Sequence, residues 1–433
     1  MINKGKSYLA VIGFLLLLIM TGCGEKEAEA EAVEVAYSVD LMKGIQAKGR
    51  TRADRKTIIA GQEAVTDFST QLLQQSLSED GNTLVSPLSV LCALGMVANG
   101  AEGETLAQIE ETIGLDLEHL NIWLADYCAS LPDGEKYRLR LANSLWLKDM
   151  EDFQVEKDFL NANAGYYGAG LYQSPFDETT VEEINLWVSK RTDGAVNDVL
   201  QELSRDDVMC LVNAIAFEAE WKQTYETYEV YEGTFTKENG MKQKAVMMTS
   251  VEGAYIEDEQ TKGFIKYYDG EKYAFVALLP DKSISIADYV GSLNGERIRS
   301  MLANVETKNI IINAEIPKFE CSYNMEMSKI LQDMGIATAF DEVRADFTGI
   351  GTCTGRNLAI GGVLQKNCIA VNERGSKAGV ATVIEAVGVA SEEMETEIKE
   401  IDIFLNRPFV YMIVDSEQKI PIFIGCMMDI NDK

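Results

Sequence analysis

The stretch Val371-Asn372-Glu373-Arg374-Gly375-Ser376-Lys377-Ala378-Gly379-Val380-Ala381-Thr382 decides the fold, because it combines features of a strand and of a hinge. In an extended chain alternate residues point to opposite faces. Ser376, Ala378, Val380, Thr382, Ile384 and Ala386 then share one face, and every one of them is small or apolar. Lys377, Gly379, Ala381, Val383 and Glu385 share the other, so both charges fall on the side that can stay wet. A permanent central strand would also read this way, but Gly375 and Gly379 would weaken one, whereas a segment that must hinge tolerates them.

Outward from this stretch, the surrounding chain alternates helix and strand signals. Ser86-Pro87 opens an apolar run that ends at Asn99-Gly100. Ser86 suits an N-cap and Pro87 a first turn, and a helix apolar almost all round must lie under something large. Strands are expected at 211–217, 274–279, 310–316, 369–372, 409–414 and 420–428, the last two as a hairpin. Pro421 stands near the start of its strand, where a missing donor is tolerated. No proline-rich linker or fixed repeat follows residue 57, so one mixed helix-and-strand domain is expected over 57–433.

The N-terminus reads as an address. Lys4 and Lys6 precede an apolar run from Tyr8 to Met20, then Thr21-Gly22-Cys23. This is a signal-peptide pattern over 1–22, and its end resembles the lipobox of bacterial lipoproteins, which makes Cys23 the expected lipidation site and membrane anchor. Met20 stands where that motif usually has Leu. Residues 23–56, an alternating Glu/Ala run followed by a basic polar stretch, are expected to form a flexible tether. An extracellular or cell-envelope location follows from the same signals.

Composition excludes several function classes. The 433 residues are 46% hydrophobic and 25% charged with seven prolines, which is globular composition. A formal charge of −30 disfavours nucleic acid and anionic membrane surfaces. One histidine, His119, leaves no zinc-binding histidine cluster, and a Ser/His relay would have to run through it. No C-x-x-C spacing occurs, and Cys92, Cys210, Cys368 and Cys426 sit in apolar runs and read as core, so no metal or cofactor is expected. Gly349-Ile350-Gly351 with Gly355 lacks the spacing of a phosphate loop and reads as a turn. The two-lobed βα repetition of a solute-binding lipoprotein is not visible.

Several segments taken in order resemble the serpin family. They are Asn82-Thr-Leu-Val-Ser-Pro-Leu-Ser89, Asn143-Ser-Leu-Trp-Leu147, Ile184-Asn-Leu-Trp-Val-Ser189 with Thr192 and Gly194, Leu211-Val-Asn-Ala-Ile-Ala-Phe217 with Trp221, Pro317-Lys-Phe319, Leu331 to Gly335, Asp346-Phe-Thr-Gly349 and Asn406-Arg-Pro-Phe409. The resemblance covers nearly the whole folded region. It implies an α+β fold with a large mixed sheet, further sheets, about eight to nine helices and an exposed reactive-centre loop. The opening stretch is similar to the hinge of inhibitory serpins, here Glu373, Gly375, Ser376, Ala378, Gly379, Val380, Ala381 and Thr382.

The implied activity is suicide inhibition of a serine protease, with a cysteine protease as a further target class, and no enzymatic turnover. The protease acylates on the bait bond, and the cut loop inserts into the main sheet before the acyl bond is hydrolysed. The family places the bait roughly sixteen residues beyond the hinge glutamate, at Val389-Ala390, with Val387 and Met394 as alternatives. Small aliphatic residues there imply elastase-like targets. Ser86, Ser89, Asn213 and Gln365 match the polar gate under the sheet, and Trp221 its opening end. Gln365 stands where the family often has histidine, which implies opening insensitive to mild acid. A monomer is expected. The alternative is a non-inhibitory binding protein of the same fold on the cell envelope.

Overall fold

The structure is a computed structural model that describes residues 37–47, 51–78, 81–204, 206–354, 356–376 and 398–432. The expected signal peptide, Cys23, hinge residues Ala378 to Thr382 and the Val389-Ala390 bond lie outside the described residues.

The chain builds three principal sheets around one hydrophobic core. The largest has the strand order β1 (Val39–Asp40), β5 (Gly170–Ser174), β3 (Tyr137–Lys148), β6 (Met209–Glu220), β16 (Gly375–Ser376), β15 (Gly362–Asn372) and β13 (Phe319–Glu326). It is mixed, since β3 runs parallel to β5 and β6 parallel to β15 while the other pairs are antiparallel. The second sheet runs β2 (Thr83–Val85), β19 (Ile420–Met427), β18 (Phe409–Asp415), β11 (Tyr273–Pro280), β10 (Thr261–Tyr267) and β9 (Tyr255–Glu257). The third comprises β17 (Lys399–Phe404), β12 (Ile310–Pro317), β8 (Lys242–Glu252) and β7 (Val230–Thr236), and a small pair joins β14 (Gly351–Thr352) to β4 (Gln154–Val155).

Nine α-helices occur among the described residues: α1 (Arg55–Ser76), α2 (Pro87–Ala98), α3 (Gly103–Ile113), α4 (Leu117–Ser130), α5 (Lys157–Tyr166), α6 (Glu178–Arg191), α7 (Ile286–Ser292), α8 (Gly295–Ala303) and α9 (Ser328–Asp333). Every residue of α2 is buried, the condition its unbroken apolar composition demands. Ser86 caps it, its hydroxyl accepting from the Ser89 N–H, with Pro87 in the first turn. The expected hairpin is β18–β19, and its register slips between Ile413 and Val414, where Pro421 pairs with Val414 and Ile422 is the extra residue. That slip is where a residue with no N–H is least disruptive.

One boundary departs from expectation. Polar composition placed residues 37–47 in a tether, yet β1 adds an edge strand to the largest sheet, Val39 opposite Gln173 and Asp40 opposite Tyr172. The buried Glu183 carboxylate on α6 accepts from the Tyr37 N–H (2.6 Å) and the Ser38 hydroxyl (2.5 Å). Leu41, Met42 and Ile45 pack on the core. The folded region therefore begins before residue 57, and α1 itself starts at Arg55 behind an Asp54 cap. Four or five residues carry too short a period to register as an element, and only the free edge of β5 makes them a strand.

The cysteines also divide. Cys92, Cys210, Cys321 and Cys426 are buried, while Cys128, Cys353 and Cys368 are half-buried. Cys368 lies on β15, where buried and half-buried residues alternate, and it falls among the half-buried set.

Candidate functional site: a hinge wedged into the sheet and the polar cluster beneath it

β6 and β15 pair directly along their lower parts, from Gly362 opposite Cys210 to Cys368 opposite Ala216. Above this ladder the two strands part. The chain turns through Glu373 and Arg374, and Gly375–Ser376 returns between them as β16, antiparallel to both. Ser376 pairs with Ala219 on one side and Val371 on the other. The sheet is thus closed below and split at one end, with two hinge residues already in the split.

Only glycine fits at 375. Its φ is +152°, and a Cβ there would lie 1.9 Å from the Ala219 carbonyl oxygen. Ser376 is fully buried, its hydroxyl 2.8 Å from that of Tyr268. The serine therefore faces the core, the side that alternation assigns to Ala378, Val380 and Thr382.

A cluster of aromatic and charged groups clamps the turn. Trp221 stacks on Tyr268 with ring centroids 4.4 Å apart. Its indole N–H donates to the Asn372 carbonyl (2.8 Å) and its backbone N–H to that of Arg374 (2.6 Å). The Tyr225 N–H donates to the Glu373 carbonyl (2.8 Å). Lys266, nearly buried, pairs with Glu252 at 2.7 Å and lies over the Tyr225 ring. Lys318 pairs with Glu373 at 2.6 Å, and that hydrogen bond holds the Glu373 carboxyl below its ordinary range. A carboxyl lowered by folding stabilises above its unfolded pKa and loses that contribution as pH falls through the folded value. This ion pair therefore contributes unchanged from neutrality down to about pH 4.5 and weakens only below it. Both side chains are more than one-third exposed, so the contribution is small.

Replacing Tyr268 by Phe removes one hydroxyl partner from Ser376 and leaves the ring stack intact. The expected loss is about 1 kcal/mol of local stability, read as faster hydrogen exchange at the Ser376 amide while the core strands keep their protection. Unchanged exchange at Ser376 would mean that the ladder alone holds the hinge.

Below the hinge, the four residues that resemblance marked as a gate form one buried cluster. Gln365 Nε2 donates to the Ser86 carbonyl (3.0 Å) and the Ser89 hydroxyl (2.8 Å). Asn213 Nδ2 donates to the Ser89 carbonyl (2.8 Å), and Ser86 Oγ donates to the Ile422 carbonyl (2.8 Å). Gln365 and Asn213 stand opposite each other across the β6–β15 ladder. Sequence reading missed two members. Asn143 on β3 is paired in register with Asn213, its Oδ1 accepting from Asn213 Nδ2, and Asn367 donates to Gln365 Oε1 (3.0 Å). The signal was available for Asn367, two residues from Gln365 and so on the same face. Asn143 needed the strand order.

The matching family model, described as serpin (serine protease inhibitor), spans residues 63–430. The chain belongs to the serpin family. Among solved structures, this serpin is similar to the thermophilic serpin tengpin in its native state, with a TM-score of 0.84 and 38% identity over 91% of this chain and all of that one. Against tengpin in its latent state, at the same identity and 88% and 100% coverage, the TM-score is 0.75. Among curated proteins, leukocyte elastase inhibitor A of Rattus norvegicus is 27% identical over 362 residues, 80% of this chain and 93% of that one. Serpins are typically protease inhibitors and generally non-catalytic. The one histidine of this serpin, His119, is exposed on α4 beside Asp116, with Nδ1 2.7 Å from the carboxylate.

Proposed function

We propose that this serpin is a suicide inhibitor of elastase-like serine proteases, acting through cleavage at Val389-Ala390 and insertion of the cut loop between β6 and β15. The observation that carries the reading is the register of β16. Gly375 and Ser376 oppose Glu220 and Ala219, and continuing that antiparallel register sets Ala378 opposite Phe217, Val380 opposite Ile215 and Thr382 opposite Asn213. On the other side the same continuation, from Ser376 opposite Val371, sets Thr382 opposite Gln365. The one polar residue of the inward face beyond Ser376 thus enters between the polar pair that now closes the sheet. Ala378 meets Phe217 and Ile369 and Ile384 meets Leu211 and Val363, while Val380 meets Ile215 on one side and Asn367 on the other.

In the proposed sequence the protease serine attacks the Val389 carbonyl and the amine of Ala390 leaves. The acylated strand then exchanges the parallel β6–β15 ladder for two antiparallel ones and carries the protease with it. The small residues around Val389 suit a shallow apolar specificity pocket, and leukocyte elastase inhibitor A is a relative whose name states such a target. The formal charge of −30 would speed encounter with a basic protease, so the association rate should fall as salt rises. Export and lipidation at Cys23 would place the inhibitor on the outer envelope, and metabolic labelling with palmitate, abolished in Cys23→Ala, tests that part separately.

The deciding experiment mixes the purified domain, residues 37–433, with pancreatic elastase and resolves the products on a denaturing gel. A band at the summed mass, with the bond mapped to Val389-Ala390, is expected. Cleavage without a covalent complex, together with a cleaved form no more heat-stable than the intact one, would replace the trap with a non-inserting binding protein.

A further inference from the structure

The α2 helix continues below the gate cluster to Cys92, which is buried. Its Sγ lies 3.9 Å from Sγ of Cys128, a half-buried residue in the last turn of α4. From the juxtaposition of these two thiols on neighbouring helices, we infer that Cys92 and Cys128 are a reversible disulfide site that staples α4 to α2.

Three features support it. A disulfide needs its sulfurs at about 2.05 Å, so the pair must close by just under 2 Å, within reach of side-chain rotation and a small adjustment of one terminal turn. Cys128 has that freedom, because α4 ends two residues later and the chain leaves the helix at Leu131. The thiols also differ in access, as stepwise exchange requires. Cys128 is half-buried and open to a small reagent, whereas Cys92 is buried beside it. Hydrogen bonding to Cys128, together with burial, holds the Cys92 thiol well above its ordinary pKa, so Cys92 stays protonated until its partner has reacted.

The chemistry balances with a low-molecular-weight disulfide such as oxidised glutathione as oxidant. The Cys128 thiolate attacks one sulfur of the reagent, forming a mixed disulfide and releasing one glutathione. Cys92 then loses its proton, attacks the Cys128 sulfur and expels the second glutathione. The protein gives up two protons and two electrons, and the reagent takes them as two thiols. The staple bears on the floor of the sheet, because Cys92 shares α2 with Ser89 of the gate cluster, whose carbonyl accepts from Asn213. It also closes a loop with residues 36 positions apart, which restricts the unfolded chain.

The test incubates the full chain with oxidised glutathione near pH 8, quenches with an alkylating agent in denaturant, and maps peptides by mass spectrometry. A Cys92–Cys128 cross-link is expected, lighter than the two free thiols by about 2 Da and reversed by dithiothreitol. The oxidised form should unfold about 3 to 6 °C higher than the reduced one. In Cys92→Ala, Cys128 should stop as a glutathione adduct, which identifies it as the entering thiol. Wild-type protein whose Cys92 and Cys128 are both alkylated as free thiols would overturn the assignment. So would a wild-type Cys128 that stops at the adduct, or a cross-link that joins a different pair. None of these readouts depends on protease inhibition.

Discussion

Thr382→Arg is expected to turn this serpin from an inhibitor into a substrate, while Ala381→Arg, one residue away, leaves inhibition intact. Continued from Gly375 opposite Glu220 and Asn372 opposite Gly375, the register brings residue 382 between Asn213 and Gln365, on the buried face beneath which Ser86 and Ser89 lie. An unpaired guanidinium forced into that site costs several kcal/mol. Insertion competes with hydrolysis of the acyl bond, and each 1.4 kcal/mol or so shifts such a competition about tenfold. About 3 kcal/mol would therefore divert the great majority of encounters to hydrolysis, raising the moles of inhibitor consumed per protease by about a hundredfold. Residue 381 faces the opposite side, where Lys377 and Glu385 already fall, so its arginine can stay hydrated. Titration of elastase activity with each variant measures both stoichiometries. If Ala381→Arg loses inhibition and Thr382→Arg keeps it, the strand enters with the opposite face inward and the register argued from β16 is wrong.

Cleavage of the loop without a target should raise the unfolding temperature sharply. In the proposed mechanism insertion would bury Ala378, Val380, Thr382, Ile384 and Ala386, and at about 0.8 kcal/mol per buried methylene these would contribute roughly 6 to 8 kcal/mol. Replacing one parallel ladder by two antiparallel ones adds several net hydrogen bonds at about 0.5 to 1.5 kcal/mol each. The sum is on the order of 10 kcal/mol, which for a domain of this size corresponds to about 10 to 15 °C. A scan of intact and loop-nicked protein reads it directly. Thr382→Arg should remove about a third of the rise, since the same strand must enter with an unpaired guanidinium. A nicked form that melts with the intact one would show that the sheet does not accept the loop, whatever happens with protease.

The buried α2 and the strands β11, β18 and β19 of the second sheet were legible because their signals are local. Twelve consecutive buried positions in α2, capped by Ser86-Pro87, require no knowledge of what lies opposite. The alternation expected after Ser376 rests on an extended backbone alone, and Ser376, the last described residue before it, is buried against Tyr268. The gate residues were recoverable through resemblance alone, since nothing local distinguishes Ser89 or Asn213 from residues that simply satisfy a backbone group.

By itself, then, the amino-acid sequence determined the family, through ordered motifs that resemble it, and the helix beneath the sheet, because composition and periodicity act over neighbouring residues. Tertiary structure alone decided the rest. That Val39–Asp40 is an edge strand depends on the free side of β5 and on the buried Glu183 carboxylate that holds Ser38. That Asn143 joins the gate depends on β3 lying beside β6, and that two thiols 36 residues apart touch depends on how α4 packs against α2. Even the position of Gly375 and Ser376 in the split sheet is a matter of competing ladders: two residues enter because Tyr268, Trp221 and the Ala219 carbonyl are there to receive them. Each of these contacts joins segments far apart in the chain, and a pattern read along the chain carries no record of which distant partner will satisfy a donor, an edge or a thiol.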